Sequence, residues 1–94
     1  MKDMLKEAMK LQTQLMEELR QIKVEGSAGG GMVRIEMDGE QNVTLVKIEP
    51  QVFADRDATM LEDLIRAAFN DARKKILEKT QESIKNITGL PAGL

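Results

Sequence analysis

The stretch EGSAGGGMVRIEMDG, residues 25–39, decides how the chain is read. Glycine stands at 26, 29, 30 and 31, and Asp38-Gly39 closes the segment. Glycine-rich loops can cradle phosphate, so a nucleotide site is the first reading to test. A P-loop requires G-x-x-x-x-G-K-[ST], whose lysine and hydroxyl reach phosphate and metal. Gly31 is followed by Met32 and Val33, so both groups are missing. A dinucleotide fingerprint requires glycines that lead into a helix. Here they lead into Val33, Ile35 and Met37 alternating with Met32, Arg34, Glu36 and Asp38, the period of two that marks a half-buried strand. The glycines therefore read as the connection between two strands, supplying backbone angles with φ > 0 or a bulge.

Downstream, Asp38-Gly39 signals a turn into NVTLVKIEP, residues 42–50, a β-branched run ended by Pro50. Strict alternation puts Val46 and Ile48 on one face of that strand and Val43 and Leu45 on the other. Upstream, residues 24–28 suit a short edge strand. The three segments fit an antiparallel meander.

Helical periodicity flanks the sheet on both sides. Residues 1–23 carry apolar side chains at 4, 5, 8, 9, 11, 15, 16, 19 and 22, a broad greasy face on a segment rich in good helix formers. Leu5, Ala8, Gln12, Leu15, Leu19 and Ile22 step by three and four like a coiled-coil seam, though three heptads are too few to stand alone. A second helix is expected from Asp55 or Asp57, either of which suits an N-cap, to about residue 86. Its stripe is Met60, Leu61, Leu64, Ile65, Ala68, Phe69, Ala72, Ile76 and Leu77, extended weakly by Ile84 and Ile87, and Gly89 and Pro91 stop it. The two phenylalanines, Phe53 and Phe69, read as core. The fold class is α+β, in the order α-β-β-β-α with a three-stranded antiparallel sheet and two long helices. Residues 1–88 read as a single domain and 89–94 as a flexible C-terminal tail.

Composition narrows the chemistry. The chain of 94 residues is 41% apolar and 32% charged, too apolar for a disordered segment. It has no Cys, His, Trp or Tyr, so disulfides, thiol chemistry, the usual general base and the soft metal ligands are all missing. No metal site, cofactor, small-molecule substrate, membrane span or secretion signal is expected, nor an enzyme; a cytoplasmic protein is. The seven methionines read as adaptable core and interface filler.

Lengths then raise the question of partners. A helix of residues 57–86 is about 45 Å long, whereas strands of six to eight residues span about 20–25 Å. The helix overruns the sheet, and apolar stripes left in water usually mark an interface. A symmetric homodimer covers them most simply; the competing arrangement is a monomer whose two helices pack on each other.

The run GSAGGGMVRIEMDGEQNVTLVKIEP resembles the YbaB/EbfC family of bacterial nucleoid-associated proteins. Gly26, Gly29, Gly31, Val33, Ile35, Gly39, Val43, Val46, Ile48 and Pro50 stand where the family pattern G-x-x-G-x-G-x-V-x-V…G…V-x-I-x-P places them. MLEDLIRAAFNDARKKI, residues 60–76, is similar to the family's second signature, and GLPAGL resembles its L-P-P-G tail. The likeness spans nearly the whole chain. It implies an intertwined homodimer with helices protruding like tweezers, and DNA binding in the cytoplasm and nucleoid that alters DNA conformation, with effects on gene expression and DNA protection. The sequence departs from many members in having no Gly/Lys-rich leader and only a short tail, which implies a weaker grip if such tails hold DNA.

A formal net charge of -2 does not oppose that reading when charge is segregated. Residues 73–85 hold five basic side chains against Glu78 and Glu82, and Lys2, Lys6 and Lys10 recur every four residues on one face of the first helix. The candidate DNA contacts are Lys2, Lys6, Lys10, Arg73, Lys74, Lys75 and Lys79, touching phosphate rather than bases. For each of them a solvated helix face with i,i+4 partners is the competing reading. Asn70 and Asp71 can cap, pair or meet a partner. The rival function is a protein-interaction module that uses the Met-rich amphipathic helices without touching DNA.

Overall fold

The computed structural model describes residues 2–54 and 56–88, with the side chains of Lys2, Ile87 and Thr88 outside that description. The elements are α1 (Lys2–Gln21), β1 (Lys23–Ala28), β2 (Val33–Asp38), β3 (Val43–Ile48), a short 3-10 helix (Pro50–Phe53) and α2 (Ala58–Thr88). The strands form one antiparallel sheet in the order β1-β2-β3, so the short first strand is an edge, in line with its sequence. Asp57 caps α2, accepting a hydrogen bond from the Met60 N–H at 3.1 Å. Asp55 and the tail at 89–94 lie outside the described residues.

The core follows from period two meeting period 3.6. Val33, Ile35 and Met37 point from β2 to one face, where Ala68, Ala72 and Ile76 of α2 cover them, and all six are buried. Two alanines on that side of α2 let it settle close to the sheet. Contact is closest at Gly26 of β1, where a Cβ would overlap the Ala72 nitrogen and the Ala68 carbonyl oxygen. Gly26 thus serves helix–strand packing, not the loop. The loop itself is Gly29–Gly30–Gly31–Met32, with φ of +63°, +67° and +93° at its glycines, angles that a side chain resists.

The second turn also anchors α1. Asp38 is buried, and its Oδ1 accepts the N–H groups of Glu40 and Asn42 at 2.9 and 3.0 Å. That fold of the chain presents the Gly39 N–H to the Leu19 carbonyl at 2.9 Å, so close that a Cβ at Gly39 would overlap that oxygen. Arg20 and Glu40 pair across the same junction at 2.8 Å. Among the described residues α1 packs only weakly on β2, and the two helices make no extended contact with each other.

Two expectations need correction. Register places Met37 opposite Val43 and Glu36 opposite Leu45, with a bulge between them. Residues directly opposed share a face, so Val43 joins Val46 and Ile48 rather than Leu45. The extra residue, Thr44, bonds the Glu36 side chain at 2.9 Å instead. The phenylalanines are not core in this chain either: Phe53 is 57% exposed and Phe69 39%. Both lie where no layer covers them. α2 rests on β1 and β2, leaving the inner face of β3 open, with Val43 and Val46 more than two-fifths exposed.

Candidate nucleic-acid interface

Both helices leave the sheet at the same end. The glycine loop lies against Leu64, Gly26 against Ala68 and Ala72, and Ile22 shares a shallow cleft with Lys79, Glu82, Ser83 and Asn86. α2 therefore runs antiparallel to β1, and its C-terminal third passes the junction from which α1 departs. A 31-residue helix is about 46 Å long, against about 20 Å for a six-residue strand. The protruding helices stretch the molecule to 63 × 24 × 16 Å. Its radius of gyration is 17.7 Å, where a compact chain of this length would have about 12 Å.

Of the cations predicted to meet phosphate, Lys2, Lys6 and Lys10 are on the α1 protrusion, Arg73, Lys74 and Lys75 flank Ala72 and Ile76 where α2 lies on the sheet, and Lys79 reaches the junction with Ile22. Lys2 begins α1, and Lys6 and Lys10 follow on its exposed surface. On α2, Arg73 and Lys74 are brought together with Asn70 and Leu77 around a shallow hollow. Lys79 sits apart, on the cleft beside Ile22. Among the described residues, no carboxylate comes within ion-pair distance of Lys6, Lys10, Arg73, Lys74 or Lys79. Their positive charge is therefore available to an external anion. The structure does not gather all seven predicted residues onto one surface: consecutive residues turn by about 100° around a helix, so the basic run from 73 to 79 is spread over several directions.

Lys75 differs from its neighbours. Its ammonium lies 3.0 Å from Asp71 Oδ2 and donates to the Glu25 carbonyl at 3.1 Å. Asp71 Oδ2 also accepts the Ser27 N–H at 3.0 Å. That N–H, followed by the Lys75 ammonium, holds the Asp71 carboxyl below its ordinary pKa against a small opposing effect of burial. The i,i+4 spacing of Asp71 and Lys75 is visible in the sequence. Their reach across to β1 is not, because it depends on how α2 lies over the sheet.

Elsewhere several cations are occupied, whereas Lys47, Arg56 and Lys85, among the described residues, have no carboxylate within ion-pair distance either. Lys23 pairs with Glu36 at 3.4 Å, Arg66 with Asp63 at 2.9 Å, and Arg34 Nε donates to the Gly31 carbonyl at 3.2 Å. Among the described residues no three His, Cys, Asp or Glu side chains converge as metal ligands would, and no helix is long and apolar enough to cross a membrane. The arrangement offers lysines as point charges and one arginine fork for phosphate oxygens. It has no Trp or Tyr, and its exposed aromatic rings are those of Phe53 and Phe69.

The sequence profile of the YbaB/EbfC DNA-binding family matches residues 1–90. The chain belongs to the YbaB/EbfC DNA-binding family. Several relatives of this YbaB/EbfC chain carry the name nucleoid-associated protein. One from Legionella pneumophila (strain Corby) is 47% identical over 89 residues, covering 92% of this chain and 79% of the relative. One from Afipia carboxidovorans is 43% identical over 89 residues, covering 92% and 85%. One from Rhodospirillum rubrum is 39% identical over 97 residues, covering 97% and 91%. Among solved structures, an uncharacterized protein from Helicobacter pylori shares the fold with a TM-score of 0.73. It is 22% identical, and the match covers 90% of this chain and 89% of that one. The YbaB/EbfC assignment and the α-β-β-β-α order thus agree with the sequence reading.

Proposed function

We propose that this chain acts as a nucleoid-associated protein: a homodimer that grips duplex DNA between cationic helix ends and alters its conformation, without catalysis. The observation that carries the reading is the combination of available cations on both helices with an uncovered apolar stripe on α1. Among the described residues, Lys6, Lys10, Arg73, Lys74 and Lys79 have no carboxylate within ion-pair distance. On α1, Met4, Leu5, Met9 and Leu11 leave most of their surface in water. The available cations suit phosphate, and the apolar stripe suits a second copy. Burying one such side chain contributes about 1.5–3 kcal/mol, so a handful across a two-fold axis suffices to hold two chains. The names of the relatives support DNA as the partner and the nucleoid as the place.

The second copy would cover the open flank of the sheet as well. Phe69 projects about 160° around α2 from Asp71, and Asp71 faces β1. Phe69 therefore lies on the β3 side of α2, the side on which Val43 and Val46 are uncovered. Together with Ile65 these residues form the apolar surface of the interface.

A gel shift with duplex DNA at two salt concentrations tests the reading, with the mass of the free protein measured in parallel. Neutralising Z phosphates makes log K fall with log salt at a slope of about -0.9Z. Retardation that fades steeply with salt, from a protein of two-chain mass, is expected. Lys74→Glu should weaken binding to every sequence alike while leaving the mass unchanged. A two-chain protein that never retards DNA at low salt would leave the family's DNA binding unexplained by these cations.

A further inference from the structure

An edge strand turns the N–H and C=O of alternate residues outward, where another strand can join them. On β1 two of those outward groups, the Glu25 carbonyl and the Ser27 N–H, are taken by side chains from α2. Lys75 donates to the first, Asp71 accepts from the second, and the two side chains pair with each other at 3.0 Å. Lys75, Asp71, Ser27 and Glu25 thus form a closed ring of interactions along the strand. Among the described residues no side chain closes the outer edge of β3 in this way. Position around the helix adds a second constraint. Lys75 lies about 100° from Lys74 and about 160° from Arg73, so a duplex facing the Arg73–Lys74 hollow is on the far side from Lys75.

We infer that Asp71 and Lys75 are a positioning pair: they close the β1 edge and fix α2 along it, and Lys75 belongs to the fold rather than to the phosphate-binding set. The pair does for the edge what a neighbouring strand would do, using one acceptor and one donor at the i,i+4 spacing of a helix. The part that concerns phosphate rests on the DNA binding proposed above; the part that concerns the edge does not.

The test compares Lys75→Gln, Asp71→Asn and Lys74→Gln in the full chain, with two readouts. Amide hydrogen exchange at Ser27 should accelerate about twofold in Lys75→Gln and Asp71→Asn, in keeping with a pair open to water, and stay at the wild-type rate in Lys74→Gln. Lys75→Arg, which keeps a cation able to donate to both oxygens, should restore slow exchange. In salt titrations of DNA affinity, Lys74→Gln should reduce the slope by about 0.9 for each phosphate left without its cation, whereas Lys75→Gln should leave the slope unchanged even if affinity shifts. Unchanged Ser27 exchange in both edge variants would overturn the positioning role. A slope that falls in Lys75→Gln as it does in Lys74→Gln would return Lys75 to the phosphate-binding set. If the wild-type protein does not bind DNA, the exchange measurement still decides the edge, so the two failures are separable.

Discussion

α1 and α2 are both long and amphipathic, yet they meet the sheet in opposite ways. α2 lies along β1 and β2, buries Ala68, Ala72 and Ile76, and is tied at its flank by Asp71 and Lys75. Among the described residues α1 is tied to the body near Leu19 and Arg20, through the Gly39 N–H and the Glu40 carboxylate, and it carries Met4 and Leu5 into water at 74% and 64% exposure. The difference lies in the small residues. Gly26 opposite Ala68 and Ala72 lets α2 approach to backbone contact, whereas Gly39 admits a single carbonyl at the end of α1. A hydrophobic stripe shows that a face must be covered; the residues opposite it decide whether the same chain does the covering.

The contrast can be broken most severely at Gly26. Gly26→Val would drive a side chain into the α2 backbone, and a loss of about 3 kcal/mol or more is expected in urea unfolding. Next in size is the core itself, where Ile76→Ala should remove about 2–5 kcal/mol. Gly30→Ala, at a loop glycine with open space around it, should cost only about 1 kcal/mol, from its φ of +67°. Leu5→Ala on α1 should leave the packing of α2 on the sheet intact and lower the stability of the assembly instead, seen as an unfolding midpoint that depends more steeply on protein concentration.

Much of this architecture is legible in the sequence. Alternation at Val33, Ile35 and Met37 marks β2 and its inner face, and stepping by three and four marks both helices. Asp57 can be read as a cap because its geometry is local. What stays hidden depends on distance in the chain. The bulge at Thr44 breaks the alternation that would put Val43 with Leu45. The exposure of Phe53 and Phe69 reflects a missing layer, which no local pattern reveals. Among the candidate phosphate-binding residues, the basic run at 73–75 looks uniform in sequence. Only the placement of α2 separates Lys75, bound to β1, from Arg73 and Lys74, which face outward.

Smaller effects sharpen the same contrast. Phe69→Glu, on the open flank, should shift the protein toward single chains in sedimentation without lowering its helix content. Acid should loosen the stapled side. The folded Asp71 carboxyl has a pKa held below its unfolded value, so its contribution is fully present above about pH 4. That contribution is lost as pH falls through the lower folded value. Asp71→Asn should flatten this part of the stability profile, and a change of at most a few tenths of a kcal/mol is expected for a pair so accessible to water.

The pairing of two chains is tested most directly by the sedimentation mass of the free protein at micromolar concentration. Twice the chain mass is predicted, because α1 and the β3 flank need a second copy to cover them. A single-chain mass, in a protein that still binds DNA with undiminished salt dependence, would contradict the account.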